Sequence, residues 1–253
     1  MALLGTGKAG LTVSDHKSTT AAPQSDDRLI ASRLHTLVVI TAVVAWTYGG
    51  TLLSAQLSGE SHPLRVRVYL IAIGEEWLMF ALTLAGVLRA GTPLSHVIGE
   101  RWQSRRELLR DIGVAAVFWV AAVVALYGLR VLLGANGLGP AVLALAPRGP
   151  LEIALWVAVS VTAGICEESV FRGYLQTQLT AMTGSRPAGV FLAAVAFGVA
   201  HLYPGWRMAI VLGLYGLMFG VLAYWRRSVR PGMIAHAWQD TLTGALTAIV
   251  LRR

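Results

Sequence analysis

The sequence predicts an all-α, polytopic membrane helical bundle of about seven transmembrane helices, within a range of six to eight. Of its 253 residues, 55% are hydrophobic and only 13% charged, whereas a typical soluble domain carries about 25% charged residues. Mean hydropathy is +0.62. Apolar runs of the roughly 20 residues needed to cross a ~30 Å hydrocarbon core recur from Leu34 to Leu251.

The elements follow from those runs. Residues 1–33 are small and polar and read as a disordered cytoplasmic tail. Residues 34–149 hold three spans, about Leu34 to Leu53, Val68 to Leu88 and Ile112 to Leu133. A basic connector, Arg101 to Arg110, separates the second from the third and suits acidic lipid headgroups. A short apolar piece, Ala141 to Ala146, reads as an interfacial turn. Residues 150–251 form a second unit. Its first helix starts at Pro150, a favoured first helical residue, with Glu152 near the positive end of the helix dipole. Further spans run from about Pro187 to Leu202, Arg207 to Trp225 and Pro231 to Leu251. Tryptophans such as Trp46, Trp77, Trp119, Trp156, Trp206, Trp225 and Trp238 serve as membrane anchors or packing residues.

A net charge of +8 would point to nucleic acid in a soluble chain; in an apolar one it belongs to loop topology, and no nucleic-acid partner is expected. With the N-terminus cytoplasmic, fourteen of the 21 basic residues fall on the inner side, as the positive-inside rule requires. The bias supports a cytoplasmic N-terminus; the chain is expected as a multi-pass protein of a plasma or inner membrane, with the lipid bilayer as its surroundings. The single cysteine, Cys166, excludes an intrachain disulfide.

The chemistry lies in the second half. Glu167, Glu168 and Arg172 end a run, Leu151 to Ile165, that is otherwise fit for lipid. Ions in hydrocarbon are costly unless paired or hydrated, so such a cluster is a functional-site candidate by default. Glu168 and Arg172 are four apart and share a helix face; as a plain structural ion pair they would leave Glu167 free. His201 closes the fifth run, in Phe197-Gly198-Val199-Ala200-His201. His236 and Asp240 lie four apart in the last one. Gly184-Ser185-Arg186-Pro187 is a turn signal. A helical hairpin tipped there brings Glu167, Glu168 and His201 to one level, about 25 Å from the tip. Two expectations compete with this geometry. Phe171, Leu175, Leu179 and Met182 form an apolar stripe that would suit a helix lying on the membrane surface. His236 falls at the opposite end from His201 unless the sixth span tilts or the connector from Arg226 to Pro231 dips inward.

Glu-Glu-x-x-x-Arg, Phe-x-x-x-His and His-x-x-x-Asn/Asp on membrane helices resemble the CPBP family, the CAAX-processing and bacteriocin-processing intramembrane endopeptidases, also called Abi or type II CAAX protease-like proteins. Arg172-Gly173-Tyr174-Leu175 fits the same pattern, and the resemblance covers about Pro150 to Leu251. It implies peptide hydrolysis within the membrane, on a membrane-associated or lipidated peptide or protein, with no cofactor. Glu167 would activate water with His201. His236 and the residue at 240 would face the oxyanion, and Arg172 would anchor Glu168 or position a peptide carbonyl. Position 240 is Asp where the commoner residue is Asn. An ionised aspartate donates no hydrogen bond, so Asp240 is either protonated or orients His236.

Three other readings use the same residues. A metal held by the Glu and His set would make the chain a metalloprotease, although His-Glu-x-x-His is absent. A non-enzymatic immunity or transport protein would use carboxylate and histidine relays. Cys166 as a nucleophile beside His201 is the third, against plain packing. A second intramembrane carboxylate pair, Glu75-Glu76, has Phe80 where the first motif has arginine, and reads as a lining of the same cavity. Oligomeric state is not legible in the sequence.

Overall fold

The computed structural model describes residues 28–57, 65–135, 143–202 and 205–250. Residues 1–27 of the expected tail lie outside the described residues, as do Ala141, Val142 and Leu251. Helices are α1 (Arg33–Leu57), α2 (Arg65–Arg89), α3 (Ser95–Ile98), α4 (Arg105–Leu132) and α5 (Pro150–Glu167). A π-helical segment (Glu168–Leu175) follows, then α6 (Gln176–Thr183), α7 (Arg186–Ala200), α8 (Trp206–Arg226) and α9 (Arg230–Val250). There is no strand among the described residues, and the fold is a polytopic helical membrane bundle. Each of the seven expected spans has a helix at its place. Among the described residues, four helical stretches are long and apolar enough to cross a membrane: Arg65–Arg89, Arg105–Leu132, Pro150–Thr183 and Trp206–Arg226. At 15 residues, α7 spans only about 22 Å.

The turn at Gly184 forms as its residues dictate. Gly184 takes the left-handed conformation (φ 65°) that a side chain would resist. Ser185 caps α7 by accepting from the Ala188 amide at 3.4 Å. The surface-helix expectation for Phe171 to Met182 is overturned, because the polar residues of the segment are buried along with Phe171 and Leu175. Gln176, Gln178 and Thr180 face the interior of the bundle. Gln178 accepts from the Ile30 amide at 2.7 Å and donates to Thr36 Oγ1 at 2.7 Å and to the Ala31 carbonyl at 3.0 Å. The segment before α1 is therefore part of the fold from Ile30 onward, inside the range expected to be a tail. A buried amide that meets backbone groups in hydrocarbon outweighs an apolar stripe.

Close backbone contacts set the remaining geometry. At Gly164 an added Cβ would lie 2.6 Å from the Met233 carbonyl, so α5 and α9 touch main chain to main chain. At Gly173 it would collide with the carbonyl of Val97, so α3 sits directly on the π-helical segment. The expected interfacial turn is tucked in as well: Ala146 is buried and the Tyr69 hydroxyl donates to the Leu145 carbonyl. Arg65 pairs with Glu152 at 2.9 Å and ties α2 to α5. Part of the basic connector also binds protein: Trp102 Nε1 donates to Asp111 at 2.9 Å, and Arg226 pairs with the same carboxylate at 3.0 Å.

Candidate active site

The π-helical segment carries the first motif. Its eight residues are all buried, and the Gln176 amide closes a five-residue step onto the Phe171 carbonyl. Such wide turns concentrate at functional sites. Here the turn places Glu168 and Arg172 in a fully enclosed ion pair, Nη1 to Oε1 at 3.1 Å. The guanidinium lies over the rings of Phe197 (4.1 Å) and Phe219 (5.1 Å), which offsets part of its desolvation.

His201 ends α7. Its Nδ1 donates to the Phe197 carbonyl at 2.8 Å, which leaves Nε2 as the nitrogen turned outward. That Nε2 stands 3.8 Å from Glu167 Oε2. The helical hairpin thus brings Glu167 and His201 together, as the counting from Gly184 predicts.

His236 reaches the same point. Its Nδ1 donates to Glu168 Oε1 at 2.9 Å, and its Nε2 lies 3.9 Å from Glu167 Oε2 and 3.5 Å from Asp240 Oδ2. The difficulty of depth is resolved by the connector, which folds inward. Val229 is buried, and Arg230 donates to the Gly99 carbonyl at 3.0 Å while stacking on Trp102. Phe219 stacks on the imidazole of His236, with centroids 5.4 Å apart. Trp156 Nε1 donates to the Asp240 carbonyl at 2.8 Å and pins α9 against α5.

All six residues singled out in the sequence therefore form one cluster, with two unlike sides. Glu168, Arg172 and His236 are sealed, while Glu167 and His201 keep 13% and 18% of their side-chain surface and Asp240 keeps 37%. Glu168 Oε1 takes a hydrogen bond from His236 and faces the Arg172 guanidinium. Glu167 Oε2 faces two imidazole nitrogens and is hydrogen-bonded to neither. Arg172 also borders a cavity of about 250 Å³ whose lining includes Gln176, Thr177, Thr180 and Ser95.

Two features add to the sequence reading. The pair in α2 splits: Glu75 is exposed, whereas Glu76 is buried, on a helix that packs against α5. The sequence reads both residues as a lining of the cavity, and of the two only Glu76 is buried. The π-helical turn had no signal that periodicity could detect, because an α-helix and a π-helix place Glu168 and Arg172 on nearly the same face. Cys166, next to Glu167 in the chain, is buried. Among the described residues, no three His, Cys, Asp or Glu side chains are grouped as a metal would require.

No curated protein and no solved structure matches the chain. A family model does, over residues 149–242, and its description is type II CAAX prenyl endopeptidase Rce1-like. The match spans the turn before α5 through Asp240 and so contains every residue of the cluster. Residues 149–242 are thus similar to an Rce1-like CAAX-protease domain, within a multi-pass membrane protein.

Proposed function

We propose that the chain is an intramembrane endopeptidase that hydrolyses a peptide bond of a membrane-associated or lipidated peptide or protein, with Glu167 as general base and His201 as its partner. The observation that carries this reading is the contrast between the two adjacent carboxylates. Glu168 Oε1 is held by a hydrogen bond from His236 and by the charge of Arg172 3.1 Å away, whereas Glu167 Oε2 faces His201 Nε2 and His236 Nε2 at 3.8 and 3.9 Å without a hydrogen bond. Separations of that size between polar groups suit one shared water.

In this reading Glu167 takes a proton from water as the water oxygen bonds to the carbonyl carbon. The carbonyl electrons move onto oxygen, and an N–H of His236 faces the resulting oxyanion. The proton passes from Glu167, by way of His201, to the leaving nitrogen as the C–N bond breaks. Asp240 and Glu168 hold His236 from two sides, and Arg172 anchors Glu168. Water is the only co-reactant, and no metal or other cofactor takes part.

The test is Glu167→Gln in the full chain. Peptides accumulating in membranes of cells that express the wild type should be missing with the variant, while thermal unfolding in detergent stays the same. Turnover equal to wild type would remove Glu167 as the base. Loss of wild-type turnover on chelation, restored by zinc, would replace this reading with metal-assisted hydrolysis.

A further inference from the structure

Two of the long apolar helices, α4 and α8, meet at two levels and stand apart between them. At one end Arg226 of α8 pairs with the buried Asp111 of α4 at 3.0 Å. About 10 Å further along α4, Phe118 packs on Phe219, with ring centroids 4.9 Å apart, and stacks on Tyr215 at 6.5 Å. Between these contacts lies a trough of about 840 Å³ walled by Val114, Val117, Met218 and Val221. A Cβ added at Gly113 would meet nothing within 4 Å, so the α4 wall is open there. Val117 and Val221 are 74% and 55% exposed.

A trough of this size can enclose a ligand, and its lining is apolar apart from Arg110 at one end, where Trp225 also borders it. The Arg110 side chain is 58% exposed. The acid beside it is Asp111, Nε to Oδ1 at 3.7 Å, and that carboxylate already holds Arg226 and the Trp102 indole. The rim therefore keeps a positive charge. Arg106, one turn earlier on the same helix face, is exposed and adds to it. Trp225 is exposed as well, and tryptophans of this kind mark the headgroup level. Arginine over a cleft between membrane helices suits an anionic lipid headgroup. A second copy of the chain suits it less: a two-fold axis along the membrane normal would set two arginine-bearing rims at one depth, facing each other.

We propose that the trough between α4 and α8 binds one acyl chain of an anionic phospholipid, whose phosphate is held by Arg110. The guanidinium donates charge-assisted hydrogen bonds to the phosphate oxygens, and the chain covers Val117 and Val221. The same chain lies against Phe118, whose ring meets Phe219, which in turn stacks on the imidazole of His236 at 5.4 Å. Bound lipid thereby backs the rings that hold His236. This effect on His236 rests on the protease reading above, whereas the lipid site does not.

Native mass spectrometry of the full chain in detergent, offered equal amounts of phosphatidylglycerol and phosphatidylcholine with the same acyl chains, tests the site. The wild type should retain one phosphatidylglycerol in preference to phosphatidylcholine. Arg110→Gln should weaken that preference about fivefold, the worth of one basic residue near an anionic surface. Val117→Trp, which fills the trough from an exposed position, should remove the bound lipid. Arg89→Gln, at the exposed end of α2, should leave retention unchanged. All three side chains are exposed, and the variants should unfold at the wild-type temperature. Equal retention of the two lipids overturns the proposal, as does a Val117→Trp that still holds lipid or an Arg89→Gln as weak as Arg110→Gln. A dimer that Val117→Trp dissolves also overturns it and makes the trough an interface between copies. In vesicles, wild-type turnover should be about fivefold faster with phosphatidylglycerol and phosphatidylcholine in equal parts than with phosphatidylcholine alone, the low end of couplings between sites. Val117→Trp should lose that difference. Equal wild-type turnover in the two vesicles overturns the effect on His236. A chain that retains the lipid and cleaves nothing in either vesicle counts against the protease reading and leaves the lipid site standing.

Discussion

The carboxylate of Glu168 accepts from His236 Nδ1 at 2.9 Å, joining residues 68 apart in the chain. The same oxygen takes Arg172 Nη1 at 3.1 Å. One carboxylate thereby fixes the imidazole of α9 and the guanidinium of the π-helical turn at once, inside a shell of Phe171, Phe197 and Phe219.

Breaking that junction from one side leaves a buried charge without its counter-ion. Glu168→Ala is expected to cost about 3–5 kcal/mol of stability. The double variant Glu168→Gln with Arg172→Met should cost less than the two single changes added together. Thermal unfolding midpoints of all three in one detergent measure the difference.

Asp240 lies 3.5 Å from His236 Nε2 on the open side of the cluster. As the carboxylate that orients His236, it should matter to rate more than to folding. Asp240→Asn is expected to lower kcat about tenfold, which is ~1.4 kcal/mol of barrier, and Asp240→Leu by a further factor of about ten. Both should unfold at the wild-type temperature. An Asp240→Asn variant faster than wild type would instead make position 240 an oxyanion donor.

α3 rests on Gly173 with no room for a methyl group. Gly173→Ala should therefore lift α3 from the π-helical segment at a cost of about 1–3 kcal/mol. Faster proteolysis near Ser95–Ile98, alongside a lower unfolding midpoint, is the expected result.

Gln178 fastens the start of the fold through Ile30, Ala31 and Thr36. Gln178→Leu leaves those buried groups without partners, at about 1–3 kcal/mol for an unsatisfied polar group. Hydrogen exchange should rise in residues 28–36 and stay unchanged in α9.

The helices were legible because their signal is local. Each apolar run had to satisfy its backbone within itself in hydrocarbon, so the boundaries of α2, α5 and α8 fall within a few residues of the runs that predict them. The pairing of Glu167 with His201 was legible too, since a single glycine turn and equal arm lengths determine it. By contrast, the apolar stripe of Phe171 to Met182 misled, because a stripe records where apolar atoms lie and not which face an amide such as Gln178 can satisfy.

From its residues alone this protein is a polytopic membrane bundle with a carboxylate, histidine and arginine set in its second half. Only the tertiary structure decided how that set closes. It brought His236 to the level of Glu167 by folding the connector at Val229 inward against Gly99. It buried Glu76, on a helix that packs against α5, and left Glu75 exposed. The reason is physical: a helix period assigns residues to faces, whereas depth and partners are set by which backbones approach, as at Gly164 and Gly173, where the absence of a side chain lets two segments meet.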